Sequence, residues 1–238
     1  MELDVWSDIR VDVLSFVACA AMMAAYHYFI VFRVRANPAY TLQSVVILAR
    51  AAWVKSCMGE KRDILAVQTL RNSIMGAVFM ASTAVLLIIG VLTLSGQSDK
   101  LGATWHAWNT VGTTRAELWL AKLMVLLSDL LVAFFSFALA IRYFNHVGYM
   151  VNVPLAMGYD AISPDRVAAE LNRAGKCYGI GMRLYYLMVP LVMWLFGPHL
   201  MVAATAVVLY VLYRTDRMPK NLSATPQPVP IRPGAKAA

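Results

Sequence analysis

Long uncharged apolar blocks, separated by shorter polar stretches, dominate this chain. Residues 13–32 form one such block of 20 and residues 74–94 another of 21. A helix needs about 20 apolar residues to cross roughly 30 Å of hydrocarbon, so each block predicts a membrane span. Residues 118–141 predict a third span, interrupted by Lys122 near one end and Asp129 near the middle. Residues 184–213 then run for 30 positions without a charge. As helix that is about 45 Å, well over one crossing.

Gly197-Pro198 lies inside this last run and disfavours continued helix. Upstream, Ser163-Pro164-Asp165 reads as an N-cap with proline at the first helical position. A helix starting there and ending at Phe196 gives two spans, near residues 177–196 and 199–218, with Gly197-Pro198 at the hairpin tip. The alternative is one long kinked helix and four spans in all.

Charge placement favours five. Residues 1–12 carry a side-chain total of −3, residues 33–73 carry +5, and residues 95–117 balance. Residues 142–183 carry +2 and residues 214–238 carry +4. Short cytoplasmic loops are rich in Lys and Arg, which puts the N-terminus outside and the first loop inside. Five spans then return the basic C-terminal end to the cytoplasm, with 17 of the 21 basic residues inside. Four spans strand it outside. The N-terminus lacks the basic region and small-residue cleavage site of a signal peptide, so the first span is expected to stay as an anchor.

Composition fits this architecture. Hydrophobic residues make up 60% and charged residues 14%, with a mean hydropathy of +0.62. A soluble domain carries about 25% charge. A soluble cytosolic enzyme is therefore excluded, and so is general disorder. The expected fold is all-α: a polytopic transmembrane helical bundle over residues 1–218, with a disordered Pro/Ala-rich tail over 219–238. Leu42, Val45, Val46, Ala49, Ala52 and Trp53 recur at helical spacing, with Arg50 and Lys55 among the more polar positions. That pattern predicts a cytoplasmic interfacial helix, apolar toward the acyl boundary and cationic toward anionic headgroups. The alternative is a helix packed on the bundle's inner ends. The net charge of +8 follows from the membrane charge bias, and nothing interleaves basic and aromatic residues as nucleic-acid binding requires.

Candidate chemistry is sparse. Cys19, Cys57 and Cys177 form no CxxC and lie in no oxidising compartment, so neither a disulfide framework nor a metal site is expected. No HExxH, GxSxG, Walker lysine or strand-following GxGxxG is present. Asp129 is the one carboxylate near the middle of a span, read either as a proton or cation site or as a packing residue. Gln68, Arg71, Asn72, Arg142, Asn145, His146 and Arg183 fall near one expected inner level. They form either a snorkelling rim or a polar pocket for an anionic headgroup. His27 and His146 at the inner side, and His106 and His199 at the outer side, are candidate ligands for a b-type haem, against the plainer reading of histidines hydrogen-bonded at the membrane boundary. Ser73, Ala77 and Ala81 form a four-spaced row, and Ala133, Phe137 and Ala140 line the third span, as close helix packing requires.

Two stretches, KRDILAVQTLRNSIMGAVFMASTAVLL at 61–87 and AFFSFALAIRYFNHVGYMVNVP at 133–154, resemble a membrane family of bacteria and plants known as domain of unknown function 599. Arg183-Leu-Tyr-Tyr, Pro190 and Trp194-Leu-Phe-Gly-Pro198 are similar to that family's closing motif. The resemblance implies a small multi-span membrane protein without an assigned activity, and brings no catalytic residues. It implies that Gln68, Arg71, Asn72, Ser82, Thr83, Arg142, Asn145, His146, Arg183 and Pro190 belong to the family pattern. The tail after Asp216 lies outside it. The sequence thus points to a non-enzymatic accessory or assembly component in a bacterial cytoplasmic membrane, with lipids, other membrane proteins or its own copies as partners. A small transporter or channel using Asp129 is the alternative, and a b-type haem electron-transfer protein is a further one.

A reporter fused to the C-terminus tests the span count and its orientation. Five spans put it in the cytoplasm, on the same side as residues 33–73; an external reporter restores four.

Overall fold

Backbone polar groups in hydrocarbon find no water, so an apolar run must close its own hydrogen bonds, and a helix does this within one segment. The computed structural model describes residues 2–37, 40–60, 63–96 and 116–217. Among these it has six α-helices: α1 Glu2–Ala36, α2 Leu42–Glu60, α3 Asp63–Ser95, α4 Ala116–Met150, α5 Pro164–Phe196 and α6 Pro198–Asp216. Two 3-10 turns, Leu155–Met157 and Asp160–Ile162, lie between α4 and α5. Five of the helices, all but α2, are long and apolar enough to cross a membrane. The protein is an all-α bundle with five candidate spans. The expected tail at 219–238 lies outside the described residues.

The long final run breaks at its Gly-Pro pair. Gly197 takes φ 156° and ψ 152° and donates its N–H to the Met193 carbonyl; Pro198 then opens α6. That backbone region is nearly closed to residues with a Cβ, and proline at a first helical position has no N–H to lose. One uncharged run thereby becomes a tight hairpin of two helices. At the other end of α5, Ser163 holds the N-cap position, and its carbonyl accepts the first helical bond from Val167.

α4 is the axis, packed along α3 on one side and α5 on the other. Small residues bring these helices together: Ala77, Ala81 and Ala84 of α3 and Ala133 and Ala140 of α4 are all buried. Phe137 fills the centre, edge-on to Tyr178 and Tyr185 with centroids 5.6 and 5.3 Å away. Its ring occupies the space over Gly181, where an added Cβ would lie 2.7 Å from it. Ser73, Thr83 and Ser136 donate to carbonyls four residues earlier, at 3.0, 2.9 and 2.7 Å. In-span hydroxyls thus satisfy themselves on their own helices.

α2 lies against the first half of α5. Its Val54, Cys57 and Met58 are buried in a cluster with Leu70, Phe144, Val147 and Leu171. Leu42, Ile47 and Leu48 remain exposed. One apolar side therefore packs on the bundle, as the alternative arrangement expects, while another faces outward. The bundle end that carries α2 is called the α2 end below, and the opposite end the Gly197 end.

α1 is held differently. It packs mainly on α6, and only 11% of its apolar window is buried, against 33% for α4. Asp12, Phe16, Cys19, Met22, Tyr26 and Ile30 form one narrow inward seam at three- and four-residue spacing. At the Gly197 end, Asp12 Oδ1 accepts from Lys122 Nζ at 2.8 Å and from Trp194 Nε1 at 2.9 Å. Lys122 also donates to the Trp194 carbonyl at 3.3 Å and lies 5.2 Å from the indole centroid. Phe16 stacks on the same indole at 5.0 Å. The Asp12 and Lys122 side chains are 0% and 3% exposed. In the sequence, Asp12 reads as one of several outer charges and Lys122 as an interruption of a span; folded, they are a buried ion pair tying α1 to α4 and α5.

Removing one member of a buried ion pair strands the other charge. Asp12→Asn or Lys122→Met is expected to cost about 3–5 kcal/mol, and Asp12→Leu with Lys122→Met together far less. Unfolding in mixed detergent with rising dodecyl sulfate measures this. Single variants that lose under about 1 kcal/mol would contradict a dry pair.

Candidate functional site

The apolar run of α1 ends in Arg33 and Arg35, and the chain then turns back to lay α2 on α5. Thr41 fixes the turn. Its hydroxyl accepts the Ser44 N–H at 3.4 Å and lies 2.7 Å from the Ser44 hydroxyl, capping α2. Its backbone forms an antiparallel bridge with Arg217, just beyond α6. The ends of α1 and α6 and the start of α2 are thereby gathered beside α5. Between them opens a cavity of about 630 Å³.

Its walls are unequal in chemistry. α1 contributes Ile30, Val31 and Val34, with His27 and Arg35; α2 contributes Gln43, Ile47 and Arg50. α5 contributes Asn172, Arg173, Lys176 and Arg183, and Asp216 ends α6. Among the described residues five cationic side chains, of which Arg173 is paired with Glu170 at 3.4 Å, and one carboxylate line the cavity. That carboxylate is engaged: Asp216 Oδ2 accepts from the Tyr26 hydroxyl at 3.0 Å and lies 3.7 Å from Arg183 Nη2. Tyr26, Asp216 and Arg183 form the second polar fastening of α1, at the opposite end of its seam from Asp12.

Arg50 is the distinctive cation. Its guanidinium rests over Gly175, where an added Cβ would lie 1.9 Å from Nη1. Only a residue without a side chain leaves it that seat. The side chain is half-buried, and among the described residues no carboxylate pairs with it. Burial without a counter-charge lowers its proton affinity below the ordinary arginine value. Asn172 faces the same space; its Nδ2 donates to the Ile47 carbonyl at 3.4 Å, and its Oδ1 is buried with no donor. Fixed positive charge beside an apolar wall is an arrangement that binds and orients an anion.

A second cavity of about 620 Å³ is lined by His146, Tyr149, Arg166, Glu170 and Arg173 among others. Glu170 lies 3.7 Å from His146 Nδ1 and 3.4 Å from Arg173 Nη1. Of the polar-rim residues expected from sequence, Arg183 lines the first cavity and His146 the second. Gln68, Arg71, Asn72, Arg142 and Asn145 are exposed on α3 and α4 and line neither. Asp129 is half-buried two turns along α4 from Lys122, and its Oδ2 is buried without a partner. His27 and His146 open onto different cavities, His199 is exposed at the start of α6, and His106 lies outside the described residues. Among the described residues no two histidines line one cavity.

Arg35, Gln43, Asn172, Arg173, Lys176 and Asp216 are polar cavity residues that sequence reading does not single out, and Arg50 is read there only as a cation facing headgroups. Two signals stand in the sequence. Arg50 directly follows the apolar position Ala49 of α2, and Gly175 and Gly179 lie four apart on the helix it meets; an added Cβ at Gly179 would make only an ordinary contact of 3.7 Å with Gln43 Nε2.

Residues 14–221, from the start of the first apolar run to beyond α6, match the family described as "Protein of unknown function, DUF599". The chain belongs to the DUF599 family. The resemblance of residues 61–87 and 133–154 is thereby established, and both cavities lie within the DUF599 region. No curated protein and no solved structure matches this DUF599 chain.

Tyr26→Phe removes one hydrogen bond from the α1 fastening and is expected to cost about 1 kcal/mol, lowering the thermal midpoint by roughly 2–4 °C. Tyr28→Phe, at a side chain 77% exposed, leaves the midpoint unchanged. Equal shifts in the two variants would mean that Asp216 does not hold α1.

Proposed function

We propose that this DUF599 protein is a non-enzymatic accessory component of a membrane, one that holds anionic lipid and neighbouring membrane proteins and turns over no substrate. One observation supports the reading above all. Cations from α1, α2 and α5 converge on a single cavity whose one carboxylate is already bonded to Tyr26. General acid–base or nucleophilic chemistry needs a proton acceptor poised at a reacting atom. Four arginines and Lys176 beside Ile30, Val31, Val34 and Ile47 supply attraction and contact instead, and His27, the one imidazole in the lining, has no acidic partner among the described residues.

The orientation drawn from charge fits the same reading. With the α2 end in the cytoplasm and the N-terminus outside, the cavity meets the leaflet face where anionic lipids attract basic segments by about 1 kcal/mol per Lys or Arg. A bacterial cytoplasmic membrane is the setting this implies. The exposed apolar side of α2 then rests at the headgroup boundary.

Transport is the second reading, and it rests on Asp129, whose Oδ2 is buried without a partner in a candidate span. It requires that Asp129→Asn abolish a flux while leaving lipid binding intact.

Purification from native membranes in mild detergent separates these readings. The accessory role predicts retained anionic lipid together with self-association or a co-purifying membrane protein. A strictly monomeric protein that comes away without lipid or partner would overturn it.

A further inference from the structure

The first cavity constrains its ligand more closely than "anionic" does. We propose that it is a binding site for a single phosphate monoester, the headgroup of a phosphatidate-like lipid or the same group free in solution, read by Arg50 and Arg183. The inference rests on the lipid-holding reading above and narrows it to one chemical class.

Three observations carry it. The first is the excess of positive charge. Arg35, Arg50, Lys176 and Arg183 face one lining carboxylate, which already accepts from Tyr26; Arg173, the fifth lining cation, is taken up by Glu170. A phosphate monoester carries about −1.5 to −2 at neutral pH and presents three strong acceptor oxygens. A diester carries one charge and presents two such oxygens. Of single phosphate groups, the monoester comes nearer the charge that the cavity offers, and its three oxygens on one phosphorus suit the forked donors of arginine.

The second observation is the seat of Arg50. Its guanidinium is half-buried over Gly175 with no carboxylate partner among the described residues. Holding a cation away from water without a counter-ion is unfavourable. A bound dianion removes that cost. It also competes with Asp216 for Arg183, whose 3.7 Å separation from Oδ2 is an ion pair without a close hydrogen bond.

The third is the space beside the cations. The volume of about 630 Å³ is ample for a headgroup, and Ile30, Val31, Val34 and Ile47 provide an apolar wall beside it for the start of an acyl chain.

Native mass spectrometry of the full chain tests the proposal, with dioleoyl phosphatidate, phosphatidylglycerol, phosphatidylcholine and inorganic phosphate each added in turn. One phosphatidate per chain is expected, held at least about tenfold more tightly than phosphatidylglycerol. Arg50→Gln should lose that preference and Arg50→Lys recover part of it. Gly175→Ala displaces only the flexible end of Arg50, so it should weaken phosphatidate binding while the thermal midpoint stays near that of the parent. Arg71→Gln, exposed on α3, should leave binding unchanged. Displacement of phosphatidate by millimolar inorganic phosphate identifies a site for the free ion, and resistance to displacement identifies a lipid site. Equal binding of phosphatidate and phosphatidylglycerol overturns the monoester assignment and leaves the anionic-lipid reading standing. No preference of either over phosphatidylcholine overturns both.

Discussion

A charged pair sealed inside an apolar bundle governs how this molecule is put together. Asp12 and Lys122 have almost no exposure, and both bond Trp194, one to its ring nitrogen and the other to its backbone carbonyl. Neither charge is tolerable alone at such a place, since each has left water for a medium of low dielectric. The pair therefore forms only when α1, α4 and α5 come together in one register. It makes a weak source of stability and a strong source of specificity. α1, which buries little of its apolar length, acquires a defined rotation and depth from it.

That rotation decides the chemistry at the other end. Asp12, Cys19 and Tyr26 follow one another at seven-residue intervals along the α1 seam, so fixing Asp12 against Trp194 directs Tyr26 toward Asp216. Ile30, Val31 and Val34 then stand as one wall of the cationic cavity, opposite α2 and α5. Between the two fastenings Phe16, Cys19 and Met22 pack on the bundle, so the cavity wall and the Asp12 contact belong to one seam.

Most of the architecture could be read from the sequence, because the rules that set it are local. Span length, uncharged runs and the Gly197-Pro198 break depend on neighbouring residues and on the hydrocarbon thickness. The small-residue packing of Ala77, Ala81, Ala133 and Ala140 also follows from spacing alone. The site was legible only in outline. A polar pocket at the basic end is what the charge pattern implies, and Arg183 belongs to one. Gln68, Arg71, Asn72, Arg142 and Asn145, which share its level along the sequence, instead occupy exposed sides of α3 and α4. Depth is set by position in the span, whereas direction is set by helix rotation, and rotation belongs to the tertiary packing. Arg50 shows the same limit. Its place among polar positions suggests an outward cation, but the side-chain-free surface at Gly175 draws it inward. Nor could spacing pair Asp12 with Lys122, which lie 110 residues apart in the chain.

The account depends on α1 being seated against Trp194, so that the cations of α2 and α5 close on a shared space. A density map of the protein in discs of its native lipid examines this most directly. The account predicts α1 docked through Asp12, with headgroup-sized density between Arg50 and Arg183. A map in which α1 stands apart from the bundle, or in which both arginines turn outward around an empty or acyl-filled space, would contradict it.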